Sequence, residues 1–276
     1  MKSRSSTPTQ INTKPESLCQ GTSTVKQAKK DLLKPDESVV VDVDDSGEQM
    51  SASEISWVQS MIGAANPQNM KVFFGTSNQN ITFNDGHIRI TIVFQGCSDC
   101  EFTINSPSAK VFMQGCKNIT VHMNDRIVTS TVEAYKCDNL SLYYHTRVET
   151  TQIDVCNDVK CAFDTVDGLG FIIWAGCQRL QVSIADKPEL DTLTGFDIAK
   201  PHYEDIVFER TQFKLHYLWE ALRTEKIIRL ANGFPTTKRE ADAHNNRRDE
   251  ICRKLIDQCF GGLTSLKKAG TTVVNA

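Results

Sequence analysis

No run of about 18 apolar residues occurs anywhere in the chain, so no segment is expected to cross a bilayer as a helix. An excess of one charge sign is also missing. The net charge of −3 is too small to argue for nucleic acid or a membrane surface as a partner. The opening stretch MKSRSSTPTQINTKPESLCQ has no apolar signal core, and secretion is therefore not expected. Three catalytic signatures are absent: Gly-x-Ser-x-Gly, a phosphate-cradling Gly-x4-Gly-Lys-Ser/Thr, and His-Glu-x-x-His. Cysteine, by contrast, is abundant. Ten cysteines without a signal peptide suggest a reducing compartment, the cytoplasm, where they are thiols or metal ligands more often than disulfides.

Residues 1–55 are polar and poor in aromatics, and cannot bury enough apolar surface to offset chain entropy. They read as a disordered tail. The patch SVVVDVDD (38–45) could add a short strand, although a solvated tail fits its composition better.

The middle of the chain repeats. Thr76, Cys97, Cys116, Cys137, Cys156 and Cys177 are separated by 21, 19, 21, 19 and 21 residues. Three residues before these anchors stand Phe73, Phe94, Met113, Ala134, Ile153 and Trp174. Five residues after them stand Ile81, Phe102, Val121, Leu142, Cys161 and Val182. Seven after come Phe83, Ile104, Met123, Tyr144, Phe163 and Ile184. Offsets of this parity mark strands with one buried face. Spacings that differ by two preserve that parity from row to row. About twenty residues per row is too few for a strand-helix-strand unit, which needs ~30, and enough for two strands and two turns. The expected fold is all-β: a right-handed parallel β-helix of about six coils.

The cysteines then read as a structural ladder of small apolar corner residues: Cys97, Cys116, Cys137, Cys156 and Cys177. Threonine in the first slot has no thiolate for a metal, and no metal site is expected. Glycine precedes four anchors, where the backbone should turn. Cys97-x-x-Cys100 needs no redox role, since Cys100 falls in a packing slot. Asp154, Asp158, Asp164 and Asp167 occupy no common offset, so paired carboxylates for glycoside cleavage are not supported.

From residue 187 the pattern breaks into a loop. Residues 211–234 are ambiguous: helical spacing first, then a possible strand in KIIRL. Residues 236–262 read as a helix capped by Thr236 or Thr237 with Glu240 behind it, and stopped by Gly261-Gly262. Its apolar residues cluster late, at Ile251, Leu255, Ile256, Cys259 and Phe260, and form one face, enough for a partner or for docking on the β-helix flank. The expected divisions are thus 1–55 tail, 56–186 β-helix, 187–234 loop and end of the domain, and 235–276 helical extension.

The segment from Thr91 to Phe163 resembles the C-terminal actin-binding domain of cyclase-associated proteins. It shares the 19/21 spacing, the acidic turn Asn124-Asp125, VTSTVE (128–133), and a basic residue before valine-x-threonine at Arg147, Val148 and Thr150. The likeness covers 57–186 well and 187–230 loosely. It implies a β-helix that binds monomeric actin, prefers the ADP form and promotes nucleotide exchange. It further implies filament turnover in the cytoskeleton, no cofactor, no catalysis, and a homodimer through exchanged C-terminal strands. Gln212, Phe213 and Lys214 match the tail, while Trp219 stands two residues late. Glu149 replaces a proline, and Val155 a lysine. Outward residues of the strands and turns would carry the contact: Lys117, Asp125, Arg126, Arg147, Glu149 and Lys160.

Two alternatives remain open. Tubulin cofactor C is related in fold and resembles this chain more distantly. It uses an arginine finger to activate GTP hydrolysis, which would make tubulin or a small GTPase the partner. In CQRLQVS (177–183), Gln181 occupies that arginine's place and Ser183 the place of a histidine. A non-catalytic scaffold is the other reading. Residues 254–270 loosely resemble a short actin-binding helix followed by a Leu-Lys-Lys latch, although packing of that helix on its own domain fits better.

Overall fold

A computed structural model of the chain describes residues 41–42, 56 and 69–269, with side chains placed to 259. The expected tail otherwise lies outside the described residues. Strand β1 (Val41–Asp42) pairs in parallel with the first strand of the repeat, so SVVVDVDD supplies an edge strand where a solvated tail was expected. A free sheet edge carries unpaired backbone groups, and two residues suffice to begin covering it.

Six strand pairs follow. They are β2 (Met70–Phe74) with β3 (Asn80–Phe83), β4 (Thr91–Gln95) with β5 (Ser98–Ile104), and β6 (Lys110–Gln114) with β7 (Lys117–Met123). Next come β8 (Thr131–Tyr135) with β9 (Asp138–Tyr144), β10 (Val148–Asp154) with β11 (Asn157–Phe163), and β12 (Leu169–Ala175) with β13 (Gln178–Ile184). The first strands of the pairs stack in parallel as sheet A and the second strands as sheet B, forming a β-solenoid. Register follows the repeat. Phe73, Phe94, Met113, Ala134, Ile153 and Trp174 lie side by side across sheet A. Ile81, Phe102, Val121, Leu142, Cys161 and Val182 do so across sheet B. The two extra residues of the longer rows fall in the turns leading from sheet B to sheet A, so neither register slips. Burying one such side chain stabilises by about 1.5–3 kcal/mol.

At the corner between the sheets, Gly75, Gly96, Gly115 and Gly176 adopt φ of 60–63°, while Lys136 and Val155 hold the same slot at 53° and 56°. Two residues past each anchor the chain turns left-handed again, at Asn78, Asp99, Asn118, Asn139, Asp158 and Arg179. Asparagine tolerates this conformation, and the side chains link successive rows: Asn139 donates to Asn118 at 3.0 Å and Asn118 to Asp99 at 2.9 Å. A separate apolar cluster of Met70, Val72, Val93 and Phe112 occupies the outer face of sheet A.

The last coil is closed by antiparallel strands. β14 (Thr192–Thr194) pairs with β13, and a short helix α1 (Phe196–Ala199) follows. β15 (Phe213–Leu218) pairs with β12 of its own chain, β16 (Ala221–Arg229) with β15, and β17 (Pro235–Thr237) with β16. The helical spacing read at 211–220 is thereby corrected. The open edge of β12 offers a ladder of hydrogen bonds, and Trp219-Glu220, at φ of 51° and 59°, makes a two-residue turn of the hairpin kind.

Helix α2 (Lys238–Ala269) departs from two expectations. It runs through Gly261-Gly262, because an interior glycine costs only about 1 kcal/mol and does not by itself stop a helix. Nor does it pack on the flank: Ile251, Leu255 and Ile256 are 52–55% exposed. Its start is fixed as read. Glu240 N donates to Thr237 Oγ1 at 3.3 Å, and Thr237 N donates to Glu240 Oε2 at 3.2 Å, a reciprocal capping box.

Candidate functional site

The five ladder cysteines are at most 2% exposed, and each spends its thiol on backbone. Cys97 Sγ donates to Phe73 O at 3.3 Å, Cys116 to Phe94 O at 3.4 Å and Cys177 to Ile153 O at 3.2 Å, each reaching the preceding row. Cys137 and Cys156 donate to Tyr135 O and Asp154 O within their own rows. Burial pushes the Cys177 thiol up to about 12, which keeps it protonated. The ladder is scaffold.

The outward positions of sheet B build a surface. Strand alternation aims the residues four and six places past each anchor at solvent. There His122 stacks on Tyr143 with ring centroids 4.6 Å apart and planes 7° apart. Lys160 Nζ lies 5.5 Å from the Tyr143 centroid, a cation–π contact. His122 Nε2 is 3.4 Å from Glu101 Oε1. One residue beyond sheet B, His145 Nδ1 is 2.9 Å from Asp164 Oδ2. An aromatic platform bordered by charges of both signs results, suited to a polar protein partner. Reading the sequence by cysteine spacing missed Glu101, His122 and Tyr143. The same offsets, taken at even steps for the outward phase, would have found them.

The six nominated residues do not form one cluster. Lys117 and Lys160 lie on the outer side of sheet B, at its corner and its centre. Asp125 and Arg126 lie in the turn from β7 to β8, where Asp125 Oδ1 accepts from Arg126 N at 2.6 Å. Arg147 and Glu149 lie at the start of β10 in sheet A. Arg147 Nε donates to Glu149 Oε1 at 2.6 Å and its Nη1 to Asp167 O at 2.7 Å. The Glu149 hydrogen bond raises the Arg147 pKa, and Arg147 in turn lowers that of Glu149. Asp125, Arg126, Arg147 and Glu149 thus follow the turns from sheet B to sheet A along one edge of the solenoid, whereas Lys117 lies at the opposite end of its strand.

The carboxylates weighed for glycoside cleavage are dispersed. Asp158 is paired with Arg179, Asp164 with His145, and Asp154 accepts from Gln152 Nε2 at 2.7 Å. Gln181 and Ser183 face outward on β13, in the slots a finger arginine and its histidine would take.

Comparison with known proteins places this geometry. The family model described as adenylate cyclase associated (CAP) C terminal matches residues 64–200. Among solved structures, the cyclase-associated protein from Cryptosporidium parvum is similar at 14% identity, with 58% of this chain and 91% of that chain covered and a TM-score of 0.43. No curated protein sequence matches the chain. Residues 64–200 are thus a cyclase-associated protein C-terminal domain.

Proposed function

We propose that the solenoid binds monomeric actin in its ADP form and promotes nucleotide exchange and filament turnover in the cytoplasm. The family match over 64–200 is the observation that carries this reading. The contact surface is the outer side of sheet B with the adjoining band of turns, centred on His122, Tyr143 and Lys160. The domain acts by binding, with no cofactor and no catalysis. Arg179 is occupied by Asp158 and Gln181 carries no charge, which disfavours the GTPase-activating alternative. Sedimentation of the purified chain with ADP-actin, ATP-actin and tubulin tests the reading. Retention of ADP-actin monomer in preference to the others is expected; tubulin binding in its place would overturn it.

One observation favours a second contact with the same partner. Ile251, Leu255 and Ile256 lie on one side of α2 and are exposed. An amphipathic helix of this kind enters an apolar groove. Truncation before residue 250 should weaken actin binding while leaving the solenoid folded.

A further inference from the structure

A cleft of about 660 Å³ lies away from the sheet B surface, within the size range of small-molecule sites. One wall is the corner of sheet A, with Tyr135, Asp154 and Val155; the other is the loop before β15 together with β16, with Arg210, Lys226 and Arg229. The loop is built, not slack. Val207 O accepts from Arg210 N at 3.1 Å and from Thr211 N at 2.9 Å. Thr211 Oγ1 accepts from Val207 N at 2.8 Å. The loop crosses the solenoid at Gly176, where an added Cβ would stand 3.4 Å from Glu209 Cα.

Three cations and two carboxylates, Asp154 and Glu209, line the cleft, and among the described residues no ion pair joins them. Among the described residues, Lys226 Nζ donates only to Glu204 O, at 3.0 Å. Arg229 donates to Gly233 O at 3.3 Å and Gln212 Oε1 at 3.2 Å, both uncharged. Arg210 has no side-chain partner among the described residues. Across from them, Asp154 spends one oxygen on Gln152, and its Oδ1 has no partner. A buried polar atom without a partner calls for an explanation. Val155 adds another irregularity, a β-branched residue held at φ 56° where four other rows have glycine. Backbone strain of this kind gathers at functional sites.

We propose that this cleft binds a nucleoside phosphate, with the phosphate on Arg210, Lys226 and Arg229 and the sugar or base donors toward Asp154. Guanidinium forks match phosphate oxygens bidentately, and a lysine adds a point charge. Tyr135, Val155 and Ile227 give the base an apolar and aromatic surface. Burial raises the Asp154 pKa, which suits a carboxyl group awaiting a donor rather than a metal or a fixed cation. The cleft shares no residue with the surface proposed for actin.

Isothermal titration of the full chain, without actin, tests the proposal with ATP, ADP, inorganic pyrophosphate and adenosine. ATP and ADP should bind, pyrophosphate more weakly, and adenosine not at all; binding should weaken as salt rises. Arg210→Glu should weaken ADP about tenfold or more, Lys226→Ala should also weaken it, and Lys200→Glu should not. The Arg210 side chain is exposed and makes no hydrogen bond or ion pair among the described residues, so its variant should keep the wild-type melting temperature. Absence of ATP and ADP binding, or an unchanged affinity in Arg210→Glu, overturns the proposal. Binding of a glutamate-rich peptide, but not of nucleotides, would reassign the cleft to an acidic protein segment.

Discussion

Thr151 Oγ1 donates to Tyr144 Oη at 3.1 Å, and both side chains are buried in the solenoid interior. Thr151 stands in a column with Lys71 in the first row and Ile92, Val111, Val132 and Ile172 in the others. Tyr144 also stacks on Phe163 at 4.3 Å. Burial raises the phenol pKa well above its ordinary value, so the pair is neutral in any mild buffer. Thr151→Val should cost about 1–3 kcal/mol, because it strands the phenol. Tyr144→Phe should strand the hydroxyl at comparable cost. The double variant should lose clearly less than the sum in a denaturant-unfolding cycle; strict additivity would show that the two groups do not support each other.

Thiol reactivity separates scaffold from surface. Cys97, Cys100, Cys116, Cys137, Cys156, Cys161 and Cys177 are buried, and Cys252 and Cys259 are exposed. Under native conditions a thiol reagent should modify Cys252 and Cys259 rapidly. The seven buried thiols should react only on unfolding. Rapid native labelling of Cys137 would contradict the inward ladder.

Val155 holds a left-handed conformation that costs an ordinary residue roughly 1–2 kcal/mol. Val155→Gly relieves that strain and gives back part of the gain to unfolded-state entropy. A net stabilisation of about 0.5–1 kcal/mol is expected, visible as a higher melting temperature. A lower one would mean that side-chain packing outweighs backbone strain there.

Attachment of α2 should be acid-sensitive. Burial alone would raise the Glu240 pKa, but the Lys214 ammonium, the Thr237 amide and the Thr236 hydroxyl outweigh it and hold the carboxyl at about 2. A depressed carboxyl contributes stability that is complete above its ordinary 4.5 and lost as pH falls toward 2. The contribution is on the order of 1 kcal/mol once solvent screening of this partly exposed group is allowed for. Amide exchange in the first turn of α2 should therefore quicken between those pH values, and Glu240→Gln should abolish the pH dependence.

Charge reversal on the two parts of the candidate surface should separate their roles. Lys160→Glu should weaken actin binding without lowering the melting temperature, since Lys160 contacts the Tyr143 ring at the surface. Arg147→Glu should weaken it as well, by breaking the contacts with Glu149 and the Asp167 carbonyl. Unchanged affinity in a pull-down with Lys160→Glu would remove sheet B from the interface. Leu142→Asp should instead unfold the chain, because that side chain is 0% exposed.

The solenoid was legible because its constraint is periodic. A side chain one row away is always 19 or 21 residues away, so the inward columns could be listed from spacing alone. Thr237 and Glu240 were legible for the same local reason. The hairpin at 213–229 was not: its strands form because β12 has an unpaired edge, which is absent from the local pattern. Glu101, His122, Tyr143 and Lys160 meet only after four rows stack. The cleft needs a loop some thirty residues past the last anchor to fold back over Val155.

From the sequence alone came the repeat, the inward phase of each strand, the cysteine corners and the cap of the final helix. All of these rest on interactions within one row or between identical positions of adjacent rows. Tertiary structure alone decided how the open end is closed, which polar groups meet outside the sheets, and where charge is left unpaired. Those outcomes depend on distances between segments of different sequence, and no local pattern encodes them.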